Sequence, residues 1–426
     1  MEAELILFVV LVSVAGAALG TFTGLVPGIH VNTLAALLVS FYPLMSSALS
    51  GMFPSEYIPI LVASCIVSAA VVHSFVDFVP SVFLGAPDPD EVLNVLPGHR
   101  MLLAGKGMVA VRSAAIGSLV GSMVAVVVAI PMQLLLSMGL GDYLESITLC
   151  VLLITVVVMI TREKGTGMIW ALLLFLISGV LGILCMFIAD EPSGIISGGN
   201  LLLPLLTGLF GMPAMLLSLN NGEVPEQNDE EQFPVSPWPG IKGAVTGGIV
   251  GWFPGITSTA GAVLTSSVLP EKGSENFISL VASIGSASTV FALVTLSVTG
   301  HGRTGTMLAT GEVLGDSISG FGNGIFVLML LSVAVASLLG YIITIISGRS
   351  MAGFVRNRDM NHMNRIIIVL MIVLVALMTG PYGLLILFAS TVAGLIPTSV
   401  NVSRVHLSGC LILPVLILNS GLGIYF

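Results

Sequence analysis

The sequence predicts an all-α, polytopic membrane protein of two pseudo-symmetric, inverted repeats with broken or re-entrant helices and about 10–12 membrane segments. Three observations carry that expectation. Of 426 residues, 56% are hydrophobic and only 8% charged, with a mean hydropathy of +1.09. A soluble domain of this size has no interior large enough to hide so much apolar surface, so the bilayer must act as solvent. Apolar runs of spanning length recur along the whole chain, and one stretch is written twice.

The first copy is Gly16-Ala17-Ala18-Leu19-Gly20-Thr21-Phe22-Thr23-Gly24-Leu25-Val26-Pro27-Gly28-Ile29; the second is Gly243-Ala244-Val245-Thr246-Gly247-Gly248-Ile249-Val250-Gly251-Trp252-Phe253-Pro254-Gly255-Ile256. Seven of fourteen positions are identical at a constant offset of 227. Gly16, Gly20 and Gly24, like Gly243, Gly247 and Gly251, are four apart and put a bare stripe on one helix face, where another backbone can come close. Pro27-Gly28 and Pro254-Gly255 then end the helix, because proline lacks a donor and disfavours a helical residue before it. Paired broken helices in corresponding halves of a membrane protein point to a transporter's binding site.

Taken in order, the apolar runs are 5–26, 29–50, 57–76, 113–136, 143–160, 167–189, 200–219, 243–269, 277–298, 321–347, 366–395 and 405–426, the eleventh interrupted at Gly380-Pro381. Nine of thirteen basic residues fall in three loops: Arg100, Lys106 and Arg112; Arg162 and Lys164; Arg349, Arg356, Arg358 and Arg365. The positive-inside rule assigns all three to the cytoplasmic face. Five runs lie between the second and third loops, where an even number of crossings is required. Either one run is re-entrant or the Gly-rich stretch 299–318 supplies a crossing. The polar stretch 220–242, with Glu223, Glu226, Asp229, Glu230, Glu231 and four prolines, reads as a solvated linker or a partner-docking segment. It separates an N-terminal membrane repeat, 1–219, from a C-terminal one, 243–426. Met1-Glu2-Ala3-Glu4 lacks the basic region of a signal peptide, so the first run is expected to stay as a membrane segment.

The candidate site residues cluster at the two breaks. After the first come His30, Asn32 and Thr33; after the second, Thr257, Ser258 and Thr259. A helix end there exposes unpaired donors and the positive end of the dipole, which suits a carboxylate or phosphate. Ordinary capping by the same residues is the competing reading. Further on, each half carries polar residues at membrane depth, where ionisable groups face a cavity or a partner. Asp77 is either an ion-coupling or substrate-bonding group or the partner of His73. Arg303, flanked by Gly302 and Gly305, is either an anion ligand or a charge in an interfacial loop. Asp88, Asp90 and Glu91 read as a solvated turn.

Other chemistry finds little support. Cys65, Cys150, Cys185 and Cys410 lie singly in apolar runs with neither metal-ligand nor redox spacing, and no metal or cofactor is called beyond Na+ or H+ as coupling ion. With 13 basic against 22 acidic residues there is no basic face for nucleic acid. Gly105-Lys106-Gly107 lacks the Ser or Thr of a phosphate loop. Gly139-Leu140-Gly141-Asp142 matches an intramembrane aspartyl protease motif, but that chemistry needs a second carboxylate and no Tyr-Asp pair occurs. The chain is not expected to be an enzyme.

At the duplicated motif, Gly20-x-x-x-Gly24-x-x-Pro27-Gly28-Ile29 and Gly247-x-x-x-Gly251-x-x-Pro254-Gly255-Ile256, the chain resembles the large-permease (TctA-like) family of tripartite tricarboxylate transporters. Gly98-His99-Arg100-Met101 with Gly105-Lys106-Gly107 resembles that family's polar loop. The resemblance implies a multi-pass permease of the cell membrane that imports citrate-like carboxylates with an ion gradient. It also implies a small membrane subunit and an extracytoplasmic binding protein as partners. A flippase for a lipid-linked phosphate and a non-transporting membrane subunit stand as alternatives.

Overall fold

The computed structural model describes residues 3–26, 31–84, 95–188, 201–217, 219, 225–227, 236–253, 258, 261–262, 265–266, 269, 271–356 and 360–420, and every ordered element among them is helical. The first half contains α1 (Ala3–Leu25), α2 (Val31–Ser40), α3 (Tyr42–Leu49), α4 (Tyr57–Val76), α5 (Phe78–Leu84), α6 (Val95–Leu103), α7 (Gly107–Leu135), α8 (Gly141–Thr161), α9 (Thr166–Ile188), α10 (Leu202–Leu206) and α11 (Met212–Leu217). The second contains α12 (Trp238–Trp252), α13 (Ser274–Thr299), α14 (Gly305–Leu314), α15 (Gly324–Val355), α16 (Met360–Ser399) and α17 (Gly409–Asn419). Seven helices among the described residues are long and apolar enough to cross a membrane, and three shorter apolar ones accompany them. The chain is thus a polytopic, multi-pass membrane protein. Its flanks agree: Leu11, Ile169 and Ile346 are more than half exposed, as lipid-facing side chains must be.

Two helices are hubs. The most apolar windows of α4 and α13 are each 83% buried, against 33% for α1 and α7. Around α4 pack α1 and α15; around α13 pack α12 and α7. The glycine stripes explain how such long helices approach. A Cβ on Gly16, Gly20 or Gly24 would collide with the backbone carbonyls of Cys65, Ala69 and His73 in turn. One on Gly243, Gly247 or Gly251 would meet those of Leu280, Ile284 and Ser288. The numbers rise together on both helices, so α1 runs parallel to α4 and α12 parallel to α13. Serines reinforce the same register. Ser68 Oγ donates to Ser13 O at 2.6 Å, and Ser283 Oγ donates to Gly240 O at 2.5 Å.

The third helix of each group comes from the other half of the chain. Ser332 on α15 meets Ser13 Oγ at 2.7 Å and donates to Ser64 O at 3.0 Å, and Gly340 lies against Phe75. On the other side, Gly117 and Gly121 of α7 abut Ser279 and Ser283. Each third helix is parallel to its hub. α7 and α15, however, run antiparallel to each other: Gly348 near the end of α15 rests on Met108 and Val111 near the start of α7. At the opposite end, Gln133 of α7 donates to Ser297 Oγ at 3.0 Å and accepts from Gly322 N at 3.2 Å, just ahead of α15. The two three-helix groups therefore point in opposite directions.

Three expectations need correcting. The run 29–50 is not one span but α2 and α3, because Pro43 restarts the helix after Phe41. The stretch 299–318 does not supply a crossing: α14 has ten residues, about 15 Å against a hydrocarbon core of roughly 30 Å. The linker is not wholly solvated. Gln227 accepts from Gly107 N at 2.7 Å and donates to Leu102 O at 3.1 Å, capping both sides of the α6–α7 turn, while Glu226 meets Arg356 at 2.6 Å. The interruption at Gly380 is present, with φ 62° inside α16.

The same linker contacts bring the start of α7 and the end of α15 to one face, as the positive-inside reading requires of loops 98–112 and 349–365. In a cysteine-free background, Lys106→Cys, Lys164→Cys and Arg358→Cys should show equal accessibility to an impermeant maleimide. One discordant position means a crossing has been miscounted.

Candidate functional site

Pro27, Gly28, His30, Pro254, Gly255, Thr257 and Thr259 lie outside the described residues, as do Asp88, Asp90, Glu91 and the side chain of Thr33. The flanks of both breaks are described, and one loop joins them. α13 stops at Gly300, whose left-handed φ of 71° reverses the chain without Cβ strain. Residues 301–304 follow, and α14 turns back along α13, so that Gly311 lies against Leu296.

At the second break, α12 ends on Trp252, 4% exposed, and Phe253 in an extended conformation. The chain then folds back along α12. Gly261 touches Val250 and Thr246, Thr265 Oγ1 meets Thr246 Oγ1 at 2.6 Å, and Glu271 meets Lys242 at 2.7 Å. This is a return path beside α12. Ser258 sits in it, 3% exposed. Above Trp252 lies Arg303, its Cζ 5.9 Å from the ring centroid, a cation–π arrangement. The Arg303 Nε is buried and has no hydrogen-bond partner among the described residues. A buried donor on a charged group without an acceptor is costly, although the Arg303 side chain as a whole is only half-buried.

The other end of the loop reaches the first break. Thr304 caps α14, its Oγ1 accepting from Met307 N at 3.3 Å and lying 3.0 Å from Thr306 Oγ1. Asn32 Oδ1 accepts from Thr306 N at 3.1 Å. Gly305 permits this approach, since a Cβ there would sit 2.8 Å from Asn32 Cγ. Asn32, expected as an anion ligand, therefore already spends its carbonyl oxygen capping a helix of the other half. Asn32→Ala should leave Thr306 N without that acceptor and loosen the loop, destabilising the protein by about 1–2 kcal/mol. Thermal unfolding of the purified variant checks this, and an unchanged transition would mean the bridge does not matter.

A second polar group flanks the first break. Asp77, 6% exposed, follows α4, its N–H donating to His73 O at 3.0 Å; it lies level with Gly24, one turn before Pro27. His73 Nδ1 is 3.0 Å from Thr23 Oγ1, which itself donates to Gly20 O at 3.1 Å. With Thr23 Oγ1 donating to Gly20 O, the hydroxyl oxygen can accept from His73 Nδ1 in the tautomer that carries the proton there. The two breaks differ chemically: a carboxyl and an imidazole flank the first, an arginine on a tryptophan flanks the second.

The structure thus links Asn32 and Arg303 through one loop and sets Asp77 beside the first break. Sequence reasoning saw Thr304 and Thr306 only as part of the polar stretch around Arg303, and it missed Trp252. The one available signal was the difference between the copies, Leu25 in the first where Trp252 stands in the second. Gly139 and Gly141 fall at the π-turn leading into α8, and the side chain of Asp142 lies outside the described residues.

The sequence profile of the family described as "Tripartite tricarboxylate transporter TctA family" matches residues 10–409. Among curated proteins, an uncharacterized protein of Methanocaldococcus jannaschii is 24% identical over 414 residues, covering 95% of this chain and 97% of that one. No solved structure matches.

Proposed function

Because the chain belongs to the tripartite tricarboxylate transporter TctA family, a transporter and not an enzyme family, we propose that it is a secondary active permease of small organic anions, such as di- or tricarboxylates. In this reading the anion is held between the two Pro-Gly breaks. Arg303 supplies the full charge, backbone N–H groups after Gly28 and Gly255 supply dipoles, and Asn32, Thr33, Thr257, Ser258 and Thr259 with His30 set orientation. The observation that carries it is the loop joining Arg303 on Trp252 to Asn32 through Thr306.

The scaffold we infer is an inverted repeat in which α1, α4 and α7 correspond to α12, α13 and α15, each half lending its third helix to the other. Matched glycine registers and the antiparallel course of α7 and α15 support it. Such a pair presents its two breaks from opposite directions. Asp77, beside the first break, takes the coupling Na+ or H+. A small membrane subunit and an extracytoplasmic binding protein complete the system in this reading, which the word tripartite in the family description supports.

Uptake of carboxylates into proteoliposomes with an imposed Na+ or H+ gradient tests the function. Asp77→Asn should abolish gradient-driven accumulation while leaving counterflow exchange at equal ion concentrations within about twofold. Loss of both would make Asp77 a structural or substrate group. A failure of the wild-type protein to move any carboxylate, together with scrambling of a lipid-linked phosphate, would favour a flippase.

A further inference from the structure

Both ends of the antiparallel α7–α15 pair are closed by a glutamine, and the two glutamines are held differently. Contacts around the two hubs correspond at a constant spacing. Gly24 faces His73 O, Val76 Cβ and Asp77 N, and Gly251 faces Ser288 O, Phe291 Cβ and Ala292 N. Ser332 donates to Ser64 O where, in the other group, Gly117 abuts Ser279. Corresponding hub and third-helix positions are 215 apart, as 73 is from 288 and 117 from 332. The same spacing relates the turns that start the third helices. Gly105 and Gly320 both have positive φ, 74° and 105°, and Gly107 corresponds to Gly322.

Each of these turns offers its glycine N–H to a carboxamide. Gly322 N donates to Gln133 Oε1 at 3.2 Å, and Gln133 Nε2 donates to Gly320 O at 3.2 Å. Gly107 N donates to Gln227 Oε1 at 2.7 Å, and Gln227 Nε2 donates to Leu102 O at 3.1 Å. The position on α15 that corresponds to Gln133 is Gly348, which has no side chain to offer and lies bare on Val111 and Met108. A linker residue thus does at one end what a helix residue does at the other. Gln133 is 1% exposed and belongs to α7, so it cannot leave without unwinding that helix. Gln227 is half-buried, and its neighbour Glu226 is tied to Arg356 by an ion pair exposed on both sides, a contact that is weak and screened by salt.

We propose that Gln227 is a releasable latch on the α7–α15 pair. Seated, it closes the end that carries the basic loops. Withdrawn together with Glu226, it lets Met108 and Gly348 part, while Gln133 holds the far end as a pivot. The correspondence of the two ends rests on the inverted-repeat reading; the hydrogen bonds at each end stand without it.

The test uses the full chain in nanodiscs with no substrate present, so its outcome is independent of the permease reading. In a cysteine-free background, Met108→Cys, at a position 1% exposed and packed on Gly348, should react slowly with a small maleimide. Adding Gln227→Ala should speed that reaction by about tenfold, the scale set by two lost hydrogen bonds, with the melting temperature unchanged. Gln227→Glu keeps the acceptor for Gly107 N but loses the donor, and should fall between. Raising the ionic strength should act in the same direction by loosening Glu226 from Arg356. Gln133→Ala should instead lower the melting temperature and leave the labelling rate of Met108→Cys as it was. Unchanged labelling with Gln227→Ala would make the linker a fixed cap on one turn. Loss of a cooperative transition in that variant would make Gln227 part of the core. Either result overturns the latch.

Discussion

Replacing Arg303 by Gln should lower anion affinity by roughly two orders of magnitude. Two charge-assisted hydrogen bonds at about 1.5–3 kcal/mol each set the scale, reduced by the water that refills the site. Arg303→Lys should fall between, losing about tenfold, because a point charge remains but the fork does not. Both variants keep Trp252 and the capped start of α14, so their melting temperatures should stay close to that of the wild type. Calorimetric titration with a transported carboxylate measures the effect. A normal affinity in Arg303→Gln would place the anion elsewhere, and the loop between the breaks would be only a connector.

The second large effect concerns the scaffold. Gly20→Val and Gly247→Val should each destabilise the protein by about 3 kcal/mol or more, because the added carbons meet Ala69 O in one case and Ile284 O with Ala287 Cβ in the other. Side chains can rotate away from an intruder, whereas a hub-helix carbonyl cannot. Gly353→Val is the control: nothing lies within 4 Å of a Cβ there. Thermal unfolding followed by fluorescence-detected size exclusion separates these outcomes. The expected pattern is loss of the monodisperse peak for both stripe variants and retention for the control. Normal stability at Gly20 and Gly247 would mean that the parallel registers of α1 on α4 and α12 on α13 are wrong.

How much was legible in the sequence follows from what each residue has to touch. α1, α4, α9 and α13 lie within a few residues of their apolar runs, since a span must be continuously apolar whatever packs on it. α5, α6 and α14 were not legible. Each has ten or fewer residues, carries Gly or Pro inside or beside it, and is stabilised by neighbours rather than by a pattern of its own. The division of α2 from α3 turned on Pro43, visible in the sequence but not decisive, because proline is tolerated within membrane helices. At the site, Arg303 stood out as a charge between glycines at depth, and Asn32 as a polar residue after a break. That Arg303 meets Trp252, 51 positions earlier, and that Asn32 caps a helix of the other half, are long-range pairings that no local spacing encodes. The two copies of the glycine motif were visible in the sequence, but that each three-helix group takes its third helix from the other half of the chain was not. Gly117 and Ser332 differ in type although each meets its hub one turn from the matched serine bond.

The central claim is that a small anion binds on Arg303 between the two breaks, and Trp252 reports on it directly. The chain has three tryptophans, Trp170, Trp238 and Trp252. With Trp170 and Trp238 replaced by Phe, titration with a carboxylate that proteoliposomes accumulate should change Trp252 emission saturably. The midpoint should equal the calorimetric Kd, and Arg303→Gln should abolish the response. A saturable response from a Trp238-only protein, with Trp252 emission unchanged throughout, would contradict the account.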